Sequence, residues 1–268
     1  MSPVPVPQAS RSFTARDVVA RVLVGVENTS ASLQAAWQAR VLAGEHGSVT
    51  VIAVADIAAA AQAGAAAVHA AAQIRADAER ALEQAVALSS PDIAAVVAGR
   101  PRETLLAQVA ATGATLLALG AGPHRRATGL LLGAVGSSLL RHSPCSVLIA
   151  RERETESWPQ RILAGIDGSP QSLDAAAVAA DLARRYGAEL TVITALGGKT
   201  IDLDLVRELH PRVLIDPRAP VDALLEKARD ADLLVVGSRG RHGLGAFGSV
   251  SERVAHRAST SVLVLRIA

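Results

Sequence analysis

Short runs of Val, Ile, Leu and Ala alternate along the chain with longer segments in which apolar residues return every three or four positions. The runs have strand length and the segments between them helix length, which predicts βαβ units and a mainly parallel sheet. In the C-terminal portion the strands are RILAGI (161–166), ELTVITA (189–195), RVLI (212–215), DLLVVG (232–237) and SVLVLR (261–266). In the N-terminal portion they are RVLVGV (21–26), SVTVIAV (48–54), IAAVVA (93–98), TLLALG (115–120) and SVLIA (146–150). Asp167-Gly168-Ser169-Pro170 reads as a strand-to-helix turn, with Ser169 the N-cap and Pro170 the first helical residue. Leu173, Ala176, Ala177, Ala180 and Ala183 then form the expected apolar stripe, and Val221, Leu224, Leu225 and Ala228 form another before DLLVVG. The run IAAAAQAGAAAVHAAAQI (57–74) is mostly Ala and carries Gln62, His69 and Gln73, so it predicts a long surface helix and no membrane span.

The pattern occurs twice. RVLVGVENTSASLQAAWQA, from Arg21, aligns without a gap on RILAGIDGSPQSLDAAAVA, from Arg161. RHSPCSVLIAR, ending at Arg151, aligns on HRASTSVLVLR, ending at Arg266, at a shorter offset because the first copy carries an extra Ala-rich stretch, 57–88. A tandem duplication follows: two Rossmann-like α/β domains, each with a five-stranded sheet flanked by helices, related by an internal pseudo-twofold. The expected limits are a disordered tail over 1–17, a first domain over 18–151, a linker over 152–160 and a second domain over 161–268. The last strands of the two copies are apolar edge candidates that would be aggregation hazards if bare, so they are expected to pair within the chain; homodimerisation is a further option.

Composition narrows the function classes. Of 268 residues, 50% are hydrophobic and only 2% aromatic, which leaves few platforms for stacking nucleic-acid bases. Lys and Arg total 27 against 25 Asp and Glu, so no broad basic footprint points to nucleic acid. The single cysteine, Cys145, forms no intrachain disulfide and suits a reducing cytoplasm. The opening MSPVPVPQASRSFTAR has three prolines and no apolar core of signal-peptide length.

Three phosphate-loop readings compete. GLGAFG (243–248) matches the dinucleotide pattern, but that motif needs its glycines directly after a strand and an acid about 20 residues on, and neither is present. GGKT (197–200) would need a glycine where Ile193 stands to complete a P-loop. The third reading takes GSRGRHGLGAFGSVSE (237–252) whole: Gly237 at a strand end, Gly240, a spanning segment, then Gly248-Ser249 opening the last helix. Gly248, Ser249 and Val250 would offer helix N-terminal N–H groups to a phosphate, with the Ser249 hydroxyl beside them. Gly237 and Gly240 would permit positive φ and close backbone approach. A plain glycine-rich turn is the alternative.

Over nearly all of both copies the sequence resembles the universal stress protein family, on VVGSRG, GSVSERV, IDGSPQS and the closing SVLVLR. ATP-binding members of that family carry G-x2-G-x9-G-[S/T] between the fourth strand and the last helix. The resemblance implies an ATP site in the second copy made by Asp167, Ala195, Gly237, Gly240, Gly248, Ser249 and Val250, with Mg²⁺ bridging the phosphates and ADP, AMP or a cyclic nucleotide as alternatives. Here Gly240 and Gly248 are separated by two residues fewer than in the family pattern. The first copy keeps the spacing in GAGPHRRATGLLLGAV (120–135), but Pro123 replaces a glycine, Ala134 replaces the hydroxyl residue and Glu27 stands in place of Asp167. A weaker site is implied there, at Glu27, Val54, Gly120 and Gly133.

Arg125, Arg126, Arg239 and Arg241 lie in these loops and read either as phosphate partners or as solvated arginines. His124 and His242 share the loops without metal-ligand spacing. G-x-S-x-G and H-E-x-x-H are both absent. The expected function is a nucleotide-binding stress regulator or sensor with slow or no hydrolysis. A weak ATPase or phosphoryl-transfer protein and a nucleotide-free interaction module are the alternatives.

Overall fold

The computed structural model describes residues 13–60, 64, 66–122, 132–152, 157–197, 213–238 and 250–266. Helix α1 spans Ala15–Val19, β1 Arg21–Val26, α2 Ser30–Ala43, β2 Ser48–Ala55, α3 Ile57–Ala60 and α4 Ala67–Ser89. Next come β3 Ile93–Ala98, α5 Pro101–Thr112, β4 Leu116–Gly120, α6 Ala134–His142 and β5 Ser146–Ala150. The second half contributes β6 Arg161–Ile166, α7 Pro170–Tyr186, β7 Glu189–Ala195, β8 Leu214–Asp216, α8 Pro220–Lys227, β9 Leu233–Gly237, α9 Val250–Arg257 and β10 Ser261–Leu265.

All ten strands form one sheet in the order β3-β2-β1-β4-β5-β10-β9-β6-β7-β8. Every neighbouring pair within a half is parallel. The halves meet where β5 and β10 pair antiparallel, Leu148 opposite Leu263. Reading outwards from that seam, both halves have the same order, which is the expected pseudo-twofold. Pairing inside the chain covers both last strands, and all five residues of each are buried. The outermost strands, β3 and β8, are the ones left half-exposed.

Alternation along the strands sends neighbours to opposite faces. Val22, Val24, Leu116, Ala118 and Leu148 pack with α1, α2, α4 and α7 on one face. Leu23, Leu117, Leu119, Val147 and Ile149 pack with α5, α6, α8 and α9 on the other. The long helices meet the sheet through small side chains: Ala35, Ala36 and Ala39 on α2, Ala175, Ala176 and Ala179 on α7. The buried face of α7 is Ser172, Ala175, Ala176, Val178, Ala179, Leu182 and Ala183, so the expected positions Leu173, Ala177 and Ala180 are one residue out of phase, while Ala176 and Ala183 are buried as expected. With Ala at six of its seventeen positions, α7 leaves its phase to Val178 and Leu182, which are buried, against Leu173, which is only half-buried.

Three further expectations change. Residues 14–17 are not tail: Thr14 and Asp17 form a capping box, and the Ala15 N–H donates to Asp181 Oδ2 at 3.1 Å, which ties α1 to α7 of the other half. The Ala-rich stretch holds two described helices, the short α3 and the long α4; only Ala78, Ala81, Ala85 and Ser89 of α4 are buried, so α4 is the surface helix expected. The linker is more than a spacer at its end. Trp158 is buried against Trp37 of α2, with ring centroids 6.1 Å apart, and its indole N–H donates to the Asp232 carbonyl at 3.1 Å.

Candidate functional site

Parallel strands of matched register bring their carboxyl ends to one line. Ile166 lies opposite Thr194, Gly165 opposite Val236, and Gly237 opposite Leu265. Asp167, Ala195 and Gly237 therefore gather at the carboxyl edge of the second half, where β6 has β7 on one side and β9 on the other. That position is the topological switch point at which open α/β sheets hold ligands.

Asp167 is exposed, and a compact turn fixes its carboxylate. Gly168, at φ +78°, lets the chain turn back, and Asp167 Oδ1 accepts from the Ser169 N–H at 3.1 Å and from its hydroxyl at 2.6 Å. Ser169 also N-caps α7, and the Ser172 hydroxyl accepts the Asp167 N–H at 3.1 Å. The carboxylate thus faces the edge on the same turn that starts α7. Ala195 ends β7, buried, with Asp216 of β8 opposite it.

Gly237 makes room for a neighbouring helix. Its φ is not positive; instead, a Cβ there would fall 2.4 Å from Gln171 O and 2.9 Å from Ser172 N. The close approach it permits is to the first turn of α7. Gly120 does the same for α2, with a Cβ 2.4 Å from Ser32 N. In both halves a glycine ends the fourth strand so that a helix N-terminus can cross it. Val250 opens α9, half-buried against the core. Gly240, Gly248 and Ser249 lie outside the described residues, as do Pro123, His124, Arg125, Arg126, Arg239, Arg241, His242 and all of GLGAFG.

The first half repeats the frame with different chemistry. The Glu27 N–H donates to Ser32 Oγ at 2.8 Å, matching Asp167 and Ser172. Val54 sits one residue before the end of β2, half-buried and opposite Val97. Gly133 caps α6 with no side-chain hydrogen bond, and a Cβ added there would meet nothing within 4 Å. A second acid enters: Glu152, two residues past β5, accepts from the Ser30 hydroxyl at the start of α2. Pro170 occupies the position of Ser30 in the second half.

The model of the universal stress protein family matches residues 19–151, 159–211 and 202–266. The chain belongs to the universal stress protein family. A universal stress protein of Mycobacterium tuberculosis (strain H37Rv) is 33% identical over 183 residues, 57% of this chain, and the chain spans 62% of that relative's length. Another from the same strain is 32% identical over 231 residues, 70% of this chain and 71% of the relative. A universal stress protein from Archaeoglobus fulgidus shares the fold, with a TM-score of 0.71 over 92% of this chain and 98% of that one, at 22% identity.

In this family member two clefts lie apart from Asp167 and Gly237. One, of about 410 Å³, runs beside β8 and α8; the other, of about 530 Å³, lies between α1 and the ends of α2 and α7. Neither reaches Asp167 or Gly237. Among the described residues no group of three or more His, Cys, Asp and Glu could hold a metal ion, and no helix is long and apolar enough to cross a membrane. Sequence reasoning missed the two arginines at the seam, Arg151, which is buried, and Arg266, which is half-buried. A signal was present: both copies end an apolar strand on Arg, in SVLIAR and SVLVLR.

Proposed function

We propose that this protein binds an adenine nucleotide, ATP first among them, at the carboxyl edge of its second half, and acts as a stress-response regulator through occupancy. The observation that carries the reading is the Asp167 carboxylate, pinned by Ser169 at the end of β6 beside the ends of β7 and β9. A fixed, exposed acceptor at that place suits the paired hydroxyls of a ribose. Backbone at Ala195 would meet the adenine. Gly240, Gly248, Ser249 and Val250 would supply donors for the phosphates, and Gly237 keeps the α7 N-terminus close by. Mg²⁺ would bridge phosphate oxygens, which requires no dedicated protein cage.

The first half is the weaker site. Glu27 and Glu152 both stand at its carboxyl edge, so a polyphosphate meets two carboxylates there. Regulation without turnover is favoured because the sequence of the loop offers Ser249, His242 and arginines but no acid to orient water at a γ-phosphate. Mass spectrometry of small molecules released from freshly purified protein tests identity and occupancy together. Adenine nucleotide at about one per chain is expected, with binding abolished by Gly248→Val combined with Ser249→Ala. Steady-state turnover on the order of 1 to 100 per second would refute the regulator reading.

A further inference from the structure

Because β5 and β10 run antiparallel, each strand delivers its following residue into the opposite half. Both following residues are arginines. Arg151, only 3% exposed, donates from Nε to Ala258 O at 3.0 Å and from Nη2 to Ala255 O at 2.7 Å, closing the C-terminal end of α9. Arg266 donates to Ser143 O, Leu140 O and Arg141 O, closing the C-terminal end of α6. The backbone is exchanged in the same way. Ser261 Oγ accepts the Arg151 N–H at 3.0 Å, and Ser146 Oγ accepts the Arg266 N–H at 3.1 Å.

The last carbonyls of a helix have no partner inside it and carry negative partial charge, so a cation placed there both satisfies and stabilises them. Helices α6 and α9 have nine and eight residues, too few to hold themselves in water. Burial pushes the Arg151 pKa down to about 10, so it remains a cation at neutral pH, with Nε and Nη2 both donating to carbonyls. Its Nη1 has no hydrogen-bond partner among the described residues. The Arg141–Glu252 ion pair, 3.6 Å, links α6 to α9 directly.

These are the same two helices whose N-termini follow the candidate phosphate loops. We propose that Arg151 and Arg266 are positioning residues that couple the two halves: each half holds, from behind, the helix whose front end binds phosphate in the other. A phosphate at the N-terminus of α9 and Arg151 at its C-terminus favour the same ordered helix, so the two are thermodynamically linked. The ligand side of this inference rests on the nucleotide reading above; the exchange of arginines between halves does not.

Hydrogen exchange of the full chain without nucleotide tests the exchange itself. Arg151→Met should speed exchange of α9 amides by about 10-fold or more and leave α6 unchanged, and Arg266→Met should do the reverse. A general loss of stability would raise exchange in both helices alike. Equal effects in both helices, or none in either, would overturn the proposal. Should Arg151→Met fail to fold, Arg151→Lys keeps the cation but loses the planar fork, and is expected to give the same one-sided pattern at smaller size. ATP titration by calorimetry then reads the link: Arg151→Met should weaken binding about 5-fold or more and Arg266→Met much less. Wild-type protein that binds no adenine nucleotide would defeat the nucleotide reading, while the exchange pattern would still decide the arginine caps. Binding unchanged in Arg151→Met would overturn the coupling.

Discussion

Adding one methyl group at Gly237 tests the steric argument for the site. The new Cβ would lie 2.4 Å from Gln171 O, 2.6 Å from Gln171 C and 2.9 Å from Ser172 N, all main-chain atoms of the first turn of α7. Ordinary contact lies near 3.5 Å, so the helix start must retreat by about 1 Å, and no flexible side chain is available to yield instead. Overpacking of this kind costs about 1–3 kcal/mol. For a chain of this size that corresponds to a fall in Tm of about 2–10 °C. Gly120→Ala should cost a similar amount, since its Cβ would meet Ser32 N at 2.4 Å and Ala31 C at 2.6 Å. Gly133→Ala is the control: its φ is −66° and nothing lies within 4 Å, so Tm should be unchanged within about 1 °C. Differential scanning calorimetry of the three variants separates loss of glycine as such from loss of the close approach. Because Asp167 and Ser169 lie on the turn that would move, Gly237→Ala should also weaken nucleotide binding, and Gly120→Ala should not. A Gly237→Ala protein as stable as wild type would refute the reasoning.

Asp167→Ala should reduce ATP affinity about tenfold by calorimetry, whereas Glu27→Ala should leave it within about twofold, because a single buried or fixed charged hydrogen bond contributes about 1.5–3 kcal/mol. Burial lowers the His256 pKa below its ordinary 6.5, with Arg141 and Arg151 adding to the shift and Glu252 opposing it. Its folded pKa is thus the depressed one, so the stability it contributes is complete above pH 6.5 and is lost as pH falls through the folded value. His256→Gln should flatten that acid limb in urea titrations run at a series of pH values. Trp158→Phe should cost about 1 kcal/mol, for the lost indole donor, and Trp158→Ala about 3–5 kcal/mol, read from urea midpoints.

The strands were legible because they are short, largely apolar runs, as strands buried on both faces are, and the central ones are so buried. RILAGI and RVLVGV coincide with β6 and β1 residue for residue. Ser169 and Pro170 announced the start of α7 because capping is local chemistry. What stayed hidden depends on distant partners. Thr14 with Asp17 is a local capping box, but that it matters becomes clear only when α1 docks on Asp181. Gly237 is legible only as a glycine at a strand end; that it makes room for α7 becomes clear once α7 is in place beside it. Trp158 sat among charged residues in RERETESWPQ, where nothing in the string reveals that Asp232 accepts the Gln160 and Arg161 N–H groups at 3.0 and 2.9 Å and fixes the end of the linker.

The duplication also bears on why a half proposed to bind nucleotide less well would be kept. Without the first half, Ser261–Leu265 would present five residues of bare apolar strand edge, and α9 would lose the arginine that closes its C-terminal end. Both losses fall on the second half, on the strand beside Gly237 and on the helix that Val250 opens. The first half needs none of the phosphate-loop residues to perform that work; it needs β5, Ser146 and Arg151. Substitutions such as Glu27 for Asp and Ala134 for Ser therefore leave its structural service intact. By the same reasoning Arg266 should tolerate change less well than Glu27, since removing it uncaps α6 while Glu27 gives up only a site already burdened by Glu152.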